Sequence, residues 1–321
     1  MKIAVLDDYA NVSQSLADWS GLGEVTVFTE PLGGPEAVIT ALAPFEIVCV
    51  MRERTPLPAA VIAALPALRL IVTTGPRNLA IDLDAARARA ITVCGTQSRK
   101  TMTSELAMAM ILALNRRLVP EAVSLDAGGW QTGLGRDLAG LTLGLAGLGT
   151  IGVQMAALGR AFGMEVAAWS QNLTEAHCAE LGVRRCVTLE ELMGTADVVS
   201  VHLVLSERTR GLFGAAQFAA MRDGAVFVNT SRGPIVQAPA LLAGLRAGRP
   251  AMVGLDVFDT EPLPADDPLR ARSHLRGPAA ADAASGLYDR INLPALLRTD
   301  RGGNPSLEGG RAGPRDHLAR P

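Results

Sequence analysis

Residues 141–170 read LTLGLAGLGTIGVQMAALGRAFGMEVAAWS, and this stretch decides the fold. A short apolar run leads into Gly147, Gly149 and Gly152, spaced G-x-G-x-x-G, before a helical pattern and a second apolar run. In such a strand–turn–helix unit the glycines allow a tight turn, close backbone approach to a pyrophosphate and close helix–strand packing. The helix N-terminus also favours phosphate. The stretch predicts a dinucleotide-binding turn, and the alternative is a glycine-rich turn with only a structural role.

The strand after this helix ends without an acidic residue. Dinucleotide folds that prefer NAD place an Asp or Glu about 20 residues after the first glycine, where it binds the ribose hydroxyls. Here Trp169 is followed by Ser170, Gln171 and Asn172. These side chains can donate hydrogen bonds to a 2′-phosphate, although no arginine stands beside them. The sequence therefore predicts NAD or NADP as the cofactor and does not choose between them.

The composition excludes several classes of protein. The chain has 321 residues, of which 49% are apolar and 19% charged, and this is enough for two domains with separate cores. A net charge of −2 provides no basic surface for nucleic acid or an anionic membrane. No apolar run is long enough to span a membrane, and the opening MKIAVLDDYA is typical of a strand rather than a signal peptide. We expect a cytoplasmic protein with no metal, nucleic-acid or membrane partner.

The cysteines support a reducing compartment. No two of them form a C-x-x-C pair. We expect all four to be small core residues: Cys49, Cys94, Cys178 and Cys186.

Apolar runs alternate with amphipathic segments along most of the chain. This alternation is typical of parallel sheets covered by helices on both faces. We predict an α/β protein with two doubly wound parallel-sheet domains, one flavodoxin-like and one Rossmann, and a cleft between them. Residues 1–98 would form the first domain and residues 99–270 the second, followed by a tail over residues 271–321. Residues 101–118 predict a long helix that is too apolar for one exposed face, and we expect it to be buried between domains or subunits.

Two turns of the first domain follow predicted strands, where ligands of parallel sheets bind. One contains Arg52, and the other contains Gly75, Arg77 and Asn78. Free N–H groups around Gly75, with Arg77 nearby, would suit a small carboxylate. The alternative is an ordinary loop with solvated arginines.

Polar residues also follow three predicted strands of the second domain. The strand AVFVNTS leads to Arg232, MVGLDVF holds Asp256 with Glu261 beyond it, and DVVSVHLV carries His202. Hydride transfer to a 2-keto acid needs a cation for the carboxylate, a proton donor and a carboxylate that raises the donor's pKa. Arg232 suits the first role and Glu261 the third. Taken singly, Arg232 could equally form a surface salt bridge, and Glu261 could be a solvated turn acid.

Several motifs occur together in a characteristic order, namely GLGTIG, VHLVLSERTRGLF, NTSRGPIV and GLDVFDTEPLP, together with TTGPRNLAIDL and TSELAMAMILAL nearer the N-terminus. Over residues 40–270 this set resembles the D-isomer-specific 2-hydroxyacid dehydrogenases of the phosphoglycerate dehydrogenase-like type. The resemblance implies an oxidoreductase that transfers hydride between NAD(P)H and a small 2-keto or 2-hydroxy acid in the cleft between two doubly wound domains. It also suggests a homodimer.

The resemblance implies roles for individual residues. Arg232 would bind the substrate carboxyl and carbonyl, and Glu261 would pair with a catalytic histidine. His202 and Leu203 would line the cofactor, so His202 is not assigned as the proton donor. The pyrophosphate would be held by Gly147, Gly149, Thr150, Ile151 and Gly152, and the nicotinamide would lie near Thr230, Ser231 and Asp256.

The tail departs from the family pattern. The catalytic histidine of the family lies in a T-P-H-x-G segment after the Glu–Pro pair, and residues 271–321 contain none; neither His274 nor His317 has that context. Asp282-Ala283-Ala284-Ser285, back-translated as GAC GCC GCA TCG and read one base later, gives Thr-Pro-His. Our hypothesis is that the tail is translated in a shifted frame and that the missing histidine impairs turnover. The alternative is a non-catalytic NAD(H)-binding regulatory or scaffold protein on the same fold.

Overall fold

The computed structural model describes residues 1–96 and 101–270, which form two parallel β-sheets with helices on their faces. The first sheet has five strands in the order β2-β1-β3-β4-β5, and all neighbouring strands are parallel. This is the flavodoxin-like order. The strands are β1 (Lys2–Val5), β2 (Glu24–Val27), β3 (Ile47–Val50), β4 (Leu70–Thr73) and β5 (Thr92–Gly95).

Helices α1 to α4 connect the strands of the first sheet, and its core contains Leu42, Val48, Ile62 and Ile71. Asp82 caps α4 by accepting a hydrogen bond from the Ala85 N–H at 2.9 Å. The helices are α1 (Ser13–Leu16), α2 (Pro35–Leu42), α3 (Ala59–Ala63) and α4 (Leu83–Ala88).

The second sheet has six parallel strands in the order β11-β10-β9-β6-β7-β8. From the other edge this is the order of the Rossmann fold, whose direction reverses between β6 and β9. Apolar clusters cover both faces, which explains the continuous apolar runs in the sequence. The strands are β6 (Thr142–Ala146), β7 (Glu165–Trp169), β8 (Arg184–Arg185), β9 (Val198–Val201), β10 (Val226–Asn229) and β11 (Met252–Leu255).

The long apolar helix predicted over residues 101–118 is shorter than expected. It spans α5 (Thr101–Asn115) and ends before Arg117, whose φ of 54° is left-handed. Its buried face packs on the second sheet: a Cβ built on Gly254 of β11 would lie 2.9 Å from Met110 Cε. Its apolar composition is explained by this contact, because the helix covers the faces of β10 and β11. The expected burial between domains or subunits stays a prediction.

Six more α-helices follow in the described part of the chain. Helix α7 begins directly after the glycine turn. Thr174 is the N-cap of α8, and Thr188 is the N-cap of α9. Helix α6 was not predicted, because it buries no residue and therefore gives no apolar periodicity. The helices are α6 (Leu118–Asp126), α7 (Thr150–Ala161), α8 (Glu175–Glu180), α9 (Leu189–Thr195), α10 (Ala215–Ala219) and α11 (Ala238–Arg246).

The expectation that all cysteines are core residues was wrong for two of them. Cys178 and Cys186 are buried, but Cys49 is only half-buried and Cys94, on the edge strand β5, is exposed. β5 is the last strand of its sheet and has fewer elements packed around it, whereas Cys49 lies on the central strand β3.

Within residues 1–96 and 101–270, no helix is both long and apolar enough to cross a bilayer. The predicted boundary between residues 98 and 99 and the predicted tail over residues 271–321 lie outside the described residues or at their edge, and they stay predictions.

Candidate active site

The glycine turn has the geometry of a dinucleotide site. Gly147 has a φ of +104°, and a Cβ there would lie 2.6 Å from the His202 carbonyl oxygen; a Cβ on Gly152 would lie 2.2 Å from the Gly147 carbonyl oxygen. Both positions therefore exclude any side chain. Gly149 differs, because a Cβ on it would meet no protein atom within 4 Å, and it is the N-cap of α7. The space above the helix N-terminus is open, as a bound diphosphate requires.

Three strands of the second sheet end beside this turn with unsatisfied polar atoms. Four buried side-chain polar atoms lack a hydrogen-bond partner in the part of the chain that the structure describes. Three of them, His202 Nδ1, Thr230 Oγ1 and Asp256 Oδ1, directly follow or border the carboxyl ends of β9, β10 and β11. Buried polar groups are normally hydrogen-bonded, so this cluster is explained by a polar ligand in the crevice.

Burial shifts the pKa of two of these groups in opposite senses. Burial lowers the pKa of His202 to about 4, so its imidazole is neutral at pH 7, and the ring Nε2 lies 2.9 Å from Ser200 Oγ. Burial, reinforced by the negative charge of Glu261, raises the pKa of Asp256 to about 7. The neutral His202 ring is therefore not the general acid at pH 7, whereas Asp256 titrates there.

Arg232 lies at the mouth of the crevice, where the loop after β10 meets the loop after β11. Its carbonyl oxygen accepts a hydrogen bond from Asn229 Nδ2 at 3.0 Å, and its Nη1 donates to the Ser231 carbonyl oxygen at 2.8 Å. A Cβ on Gly233 would lie 2.2 Å from the carbonyl carbon of Phe258, so only glycine lets the two loops approach this closely. Ser231 Oγ donates to the Leu203 carbonyl oxygen, which ties this loop to the end of β9.

Glu261 is anchored by two bonds. Its Oε1 accepts a hydrogen bond from the Phe258 N–H at 3.1 Å, and its Oε2 pairs with Arg54 Nε at 3.2 Å. Arg54 belongs to the first domain, in the turn after β3, so the ion pair crosses the cleft. In the described residues, Glu261 thus pairs with an arginine where the family resemblance implied a histidine.

Neither Tyr9 nor Arg54 was singled out as a site residue from the sequence, although Arg54 lies in the predicted ligand turn that contains Arg52. The Arg54 guanidinium carbon lies 4.9 Å from the centre of the Tyr9 ring, a cation–π distance. The Tyr9 hydroxyl donates to Asp7 Oδ1 at 3.0 Å, and Thr55 Oγ1 donates to Asp7 Oδ2 at 2.8 Å. Burial raises the pKa of Asp7, and burial together with the Asp7 charge raises the pKa of Tyr9. Both residues lie near the ends of β1 and β3, so the strand-end rule that found Arg52 also applies to them.

A second ion pair crosses the cleft next to the first. Arg232 Nη2 lies 3.4 Å from Oε2 of Glu53, the residue before Arg54. Two adjacent residues of the first domain therefore bind the two residues of the second domain that were predicted to carry the chemistry.

The first-domain residues predicted to bind substrate lie in two contacting loops. The Arg52 guanidinium packs on Gly75, where a Cβ would lie 2.7 Å from its Nη1. The Asn78 side chain supports these loops: its Nδ2 donates to the Arg52 carbonyl oxygen and, at 3.0 Å, to Thr73 Oγ1. Of the N–H groups around Gly75 that were expected to be free, that of Gly75 itself is not, because it donates to Thr96 Oγ1 at 2.8 Å. Arg77 is exposed on the same loop.

The ribose end of the crevice lies after β7, and an arginine does approach it, because Arg185 Nε donates a hydrogen bond to the Leu173 carbonyl oxygen at 2.9 Å. Ser170 is half-buried and Gln171 is exposed directly after β7. His274, His317 and the hypothetical shifted Thr-Pro-His segment lie outside the described residues.

Comparison with known proteins agrees with this geometry. Residues 108–276 match the family described as D-isomer specific 2-hydroxyacid dehydrogenase, NAD binding domain. The chain is 37% identical over 244 residues to a glyoxylate reductase of Korarchaeum cryptofilum, a match that covers 74% of this chain and 73% of that protein.

Two solved structures are similar in fold. A phosphoglycerate oxidoreductase from Vibrio cholerae superimposes with a TM-score of 0.80 at 35% identity, covering 93% of this chain and 97% of the other. A D-lactate dehydrogenase from Aquifex aeolicus, complexed with NAD and lactic acid, gives 0.65 at 26% identity and covers 80% and 77%. These relatives are enzymes and do not favour the non-catalytic alternative. The chain belongs to the D-isomer specific 2-hydroxyacid dehydrogenases, a family of oxidoreductases that use NAD or NADP.

Proposed function

We propose that this chain binds NAD(P)H on the glycine turn and a small 2-keto or 2-hydroxy acid on Arg232, in the cleft between the domains. The observation that carries the proposal is the convergence of three unsatisfied polar atoms, Arg232 and Glu261 beside the open space at Gly149. Gly147, Gly152, Thr150 and Ile151 would hold the diphosphate. The nicotinamide, when bound, supplies or accepts the hydride.

Each polar residue has a defined task in this proposal. The guanidinium of Arg232 binds the substrate carboxylate through two parallel hydrogen bonds and polarises the carbonyl. Thr230 Oγ1 and Asp256 Oδ1 supply hydrogen-bonding groups that no other atom of residues 1–96 and 101–270 uses. Arg52, Gly75, Arg77 and Asn78 form the opposite wall, with Asn78 as a support for the loop rather than a ligand contact.

Reduction of a keto acid also consumes a proton, and the described residues give Glu261 no histidine partner. Loss of a general acid lowers rates by about 10²- to 10⁴-fold. We therefore expect this chain to bind cofactor and keto acid but to turn over slowly. The test is NADH oxidation with glyoxylate or hydroxypyruvate, alongside calorimetric titration with NADH. Arg232→Met should bind NADH normally and lose oxamate binding by about ten- to a hundredfold. Absence of NADH binding to the unmodified chain contradicts the proposal.

The reading-frame hypothesis for the tail has its own test. The coding DNA should contain triplets for Thr-Pro-His one base out of phase at residues 282–285, and the chain restored to that frame should regain turnover. If those triplets are absent, the hypothesis fails, while the proposed binding of cofactor and substrate is unaffected.

We further propose a homodimer located in the cytoplasm. Helix α6 and the loop after it support the dimer, because they expose several large apolar side chains, namely Leu118, Val123, Leu125, Trp130 and Leu134. The exposed Cys94 thiol fits a reducing compartment. Sedimentation of the purified chain should give twice the monomer mass, and Trp130→Arg should shift it toward monomer. A monomeric unmodified chain contradicts the dimer, and secretion contradicts the location.

A further inference from the structure

We propose that Glu53 determines the charge selectivity of the substrate site, by competing for Arg232 and by disfavouring a second negative charge on the substrate. The preferred substrates are then 2-keto or 2-hydroxy acids whose only anionic group is the carboxylate. This inference rests on the proposed function, because it assumes that Arg232 binds the substrate carboxylate.

Glu53 already contacts the guanidinium that is proposed to bind the substrate. Its Oε2 lies 3.4 Å from Arg232 Nη2, so a carboxylate already occupies one branch of the guanidinium fork. Nη1 also donates to the Ser231 carbonyl oxygen, so a substrate carboxylate that binds through Nη2 competes with Glu53 for that nitrogen. Glu53 and the substrate therefore compete for the same cation.

The two cross-cleft ion pairs differ in burial, and this decides which one opens. The side chains of Arg54 and Glu261 are 14% and 25% exposed, and both make a second contact, with the Tyr9 ring and with the Phe258 N–H. The side chains of Arg232 and Glu53 are 38% and 32% exposed. Exposed ion pairs contribute little free energy, so the Glu53 pair yields at low cost.

The more buried ion pair, Arg54–Glu261, keeps the Glu53 carboxylate near the site after it leaves Arg232. Arg54 adjoins Glu53 in sequence and stays anchored to Glu261 and Tyr9. When Glu53 leaves Arg232, its backbone is therefore held and its charge remains at the rim of the site. Like charges within the Debye length of about 8 Å repel one another at physiological ionic strength.

The charged side chains in the cleft limit the number of anionic groups that a bound substrate can carry. Arg54 and Arg232 face Glu261 and Glu53, and Asp256 is a further acid that ionises as the pH rises through about 7. One substrate carboxylate replaces Glu53 on Arg232. Arg54 stays paired with Glu261, so neither of these two arginines is left for a second anionic group. A phosphate or second carboxylate on the substrate would meet the Glu53 charge instead.

The experiment compares two ligands that differ by one charge. D-lactate is a monoanion and tartronate carries a carboxylate in place of the methyl group. Both are 2-hydroxy acids that NADH cannot reduce, so their affinities for the complex of the chain with NADH are measured by calorimetry without turnover. The variants are Glu53→Gln and, as a control, Asp223→Asn. Asp223 also pairs with an arginine, Arg249, at 2.7 Å. This pair lies at the amino ends of β10 and β11, whereas the site lies at their carboxyl ends.

The unmodified chain should bind D-lactate more tightly than tartronate. Glu53→Gln should tighten D-lactate binding by about two- to fivefold and tartronate binding by a further few-fold, with smaller changes at high salt. Asp223→Asn should change neither ratio. The inference about Glu53 is overturned if the ratio of D-lactate affinity to tartronate affinity is the same in the unmodified chain and in Glu53→Gln. It is also overturned if the unmodified chain binds tartronate as tightly as D-lactate, for example through the exposed Arg77. Neither result affects the proposed function. Absence of NADH binding overturns the proposed function as well.

Discussion

Arg54 Nε and Glu261 Oε2 lie 3.2 Å apart although 207 positions separate them in sequence. This ion pair joins the turn after β3 of the first domain to the loop after β11 of the second. It fixes Glu261 beside Asp256 and Arg232, and thus links the geometry of the substrate site to the relative position of the two domains.

Loss of this pair should destabilise the protein. Arg54→Met leaves the largely buried Glu261 carboxylate without its cation, so the free energy of unfolding should fall by about 1–3 kcal/mol. Arg87→Met removes an arginine from a pair whose side chains are 77% and 92% exposed and should cost about 0–1 kcal/mol. Urea denaturation measures both. Equal losses would show that Arg54 and Glu261 do not stabilise the cleft.

The open space at Gly149 should be reserved for a ligand. Gly149→Ala should leave the melting temperature nearly unchanged, because φ is −82° and a Cβ meets no protein atom. It should weaken NADH binding by about tenfold or more, since the methyl group displaces the diphosphate from the helix N-terminus. Gly34→Ala is the matched control, because Gly34 is also an N-cap with open space around it. Unchanged NADH affinity in Gly149→Ala would contradict this prediction.

Asp256 should make stability fall as the pH rises. Its pKa is raised to about 7 in the folded chain, from about 3.9 in the unfolded chain, so the folded state binds the additional proton between these values. Its contribution is complete below about pH 4 and is lost through about pH 7. Asp256→Asn should therefore gain stability relative to the unmodified chain across this range, by at most a few kcal/mol. A stability difference independent of pH would rule out this titration.

His202 should act in the opposite direction. Its pKa is lowered to about 4, so its contribution is present above the unfolded value of about 6.5 and is lost as the pH falls through about 4. Denaturation of His202→Gln, which cannot titrate, should show the unmodified chain losing stability relative to the variant on acidification. The opposite slope, or none, would mean that His202 is not buried as a neutral ring.

The sequence predicts the elements whose residues carry a local signal. Strands buried on both faces appear as continuous apolar runs, and Gly147, Gly149 and Gly152 mark the turn between β6 and α7. Helix α6 and the two-residue strand β8 give no such signal, because α6 buries nothing and β8 lies at a sheet edge. The end of α5 depends on the left-handed backbone of Arg117, which is no glycine.

The residues of the site likewise divide into those with a local sequence signal and those without one. Arg232 and Glu261 were indicated by motifs and by the family resemblance, and the structure brings their loops together at Gly233. Their pairing with Glu53 and Arg54 could not be predicted, because a pairing across the cleft depends on how two separate sheets pack. Two arginines of that turn also reach different partners: Arg54 contacts Glu261, whereas Arg52 packs on Gly75.

The most direct test of the central claim is a crystal structure of the chain grown with NADH and oxamate. Our account predicts the diphosphate at the N-terminus of α7 above Gly149, the nicotinamide beside Thr230 and Asp256, and the oxamate carboxylate on Arg232 with Glu53 displaced. Cofactor density away from the glycine turn, or oxamate bound without contact to Arg232, would contradict it.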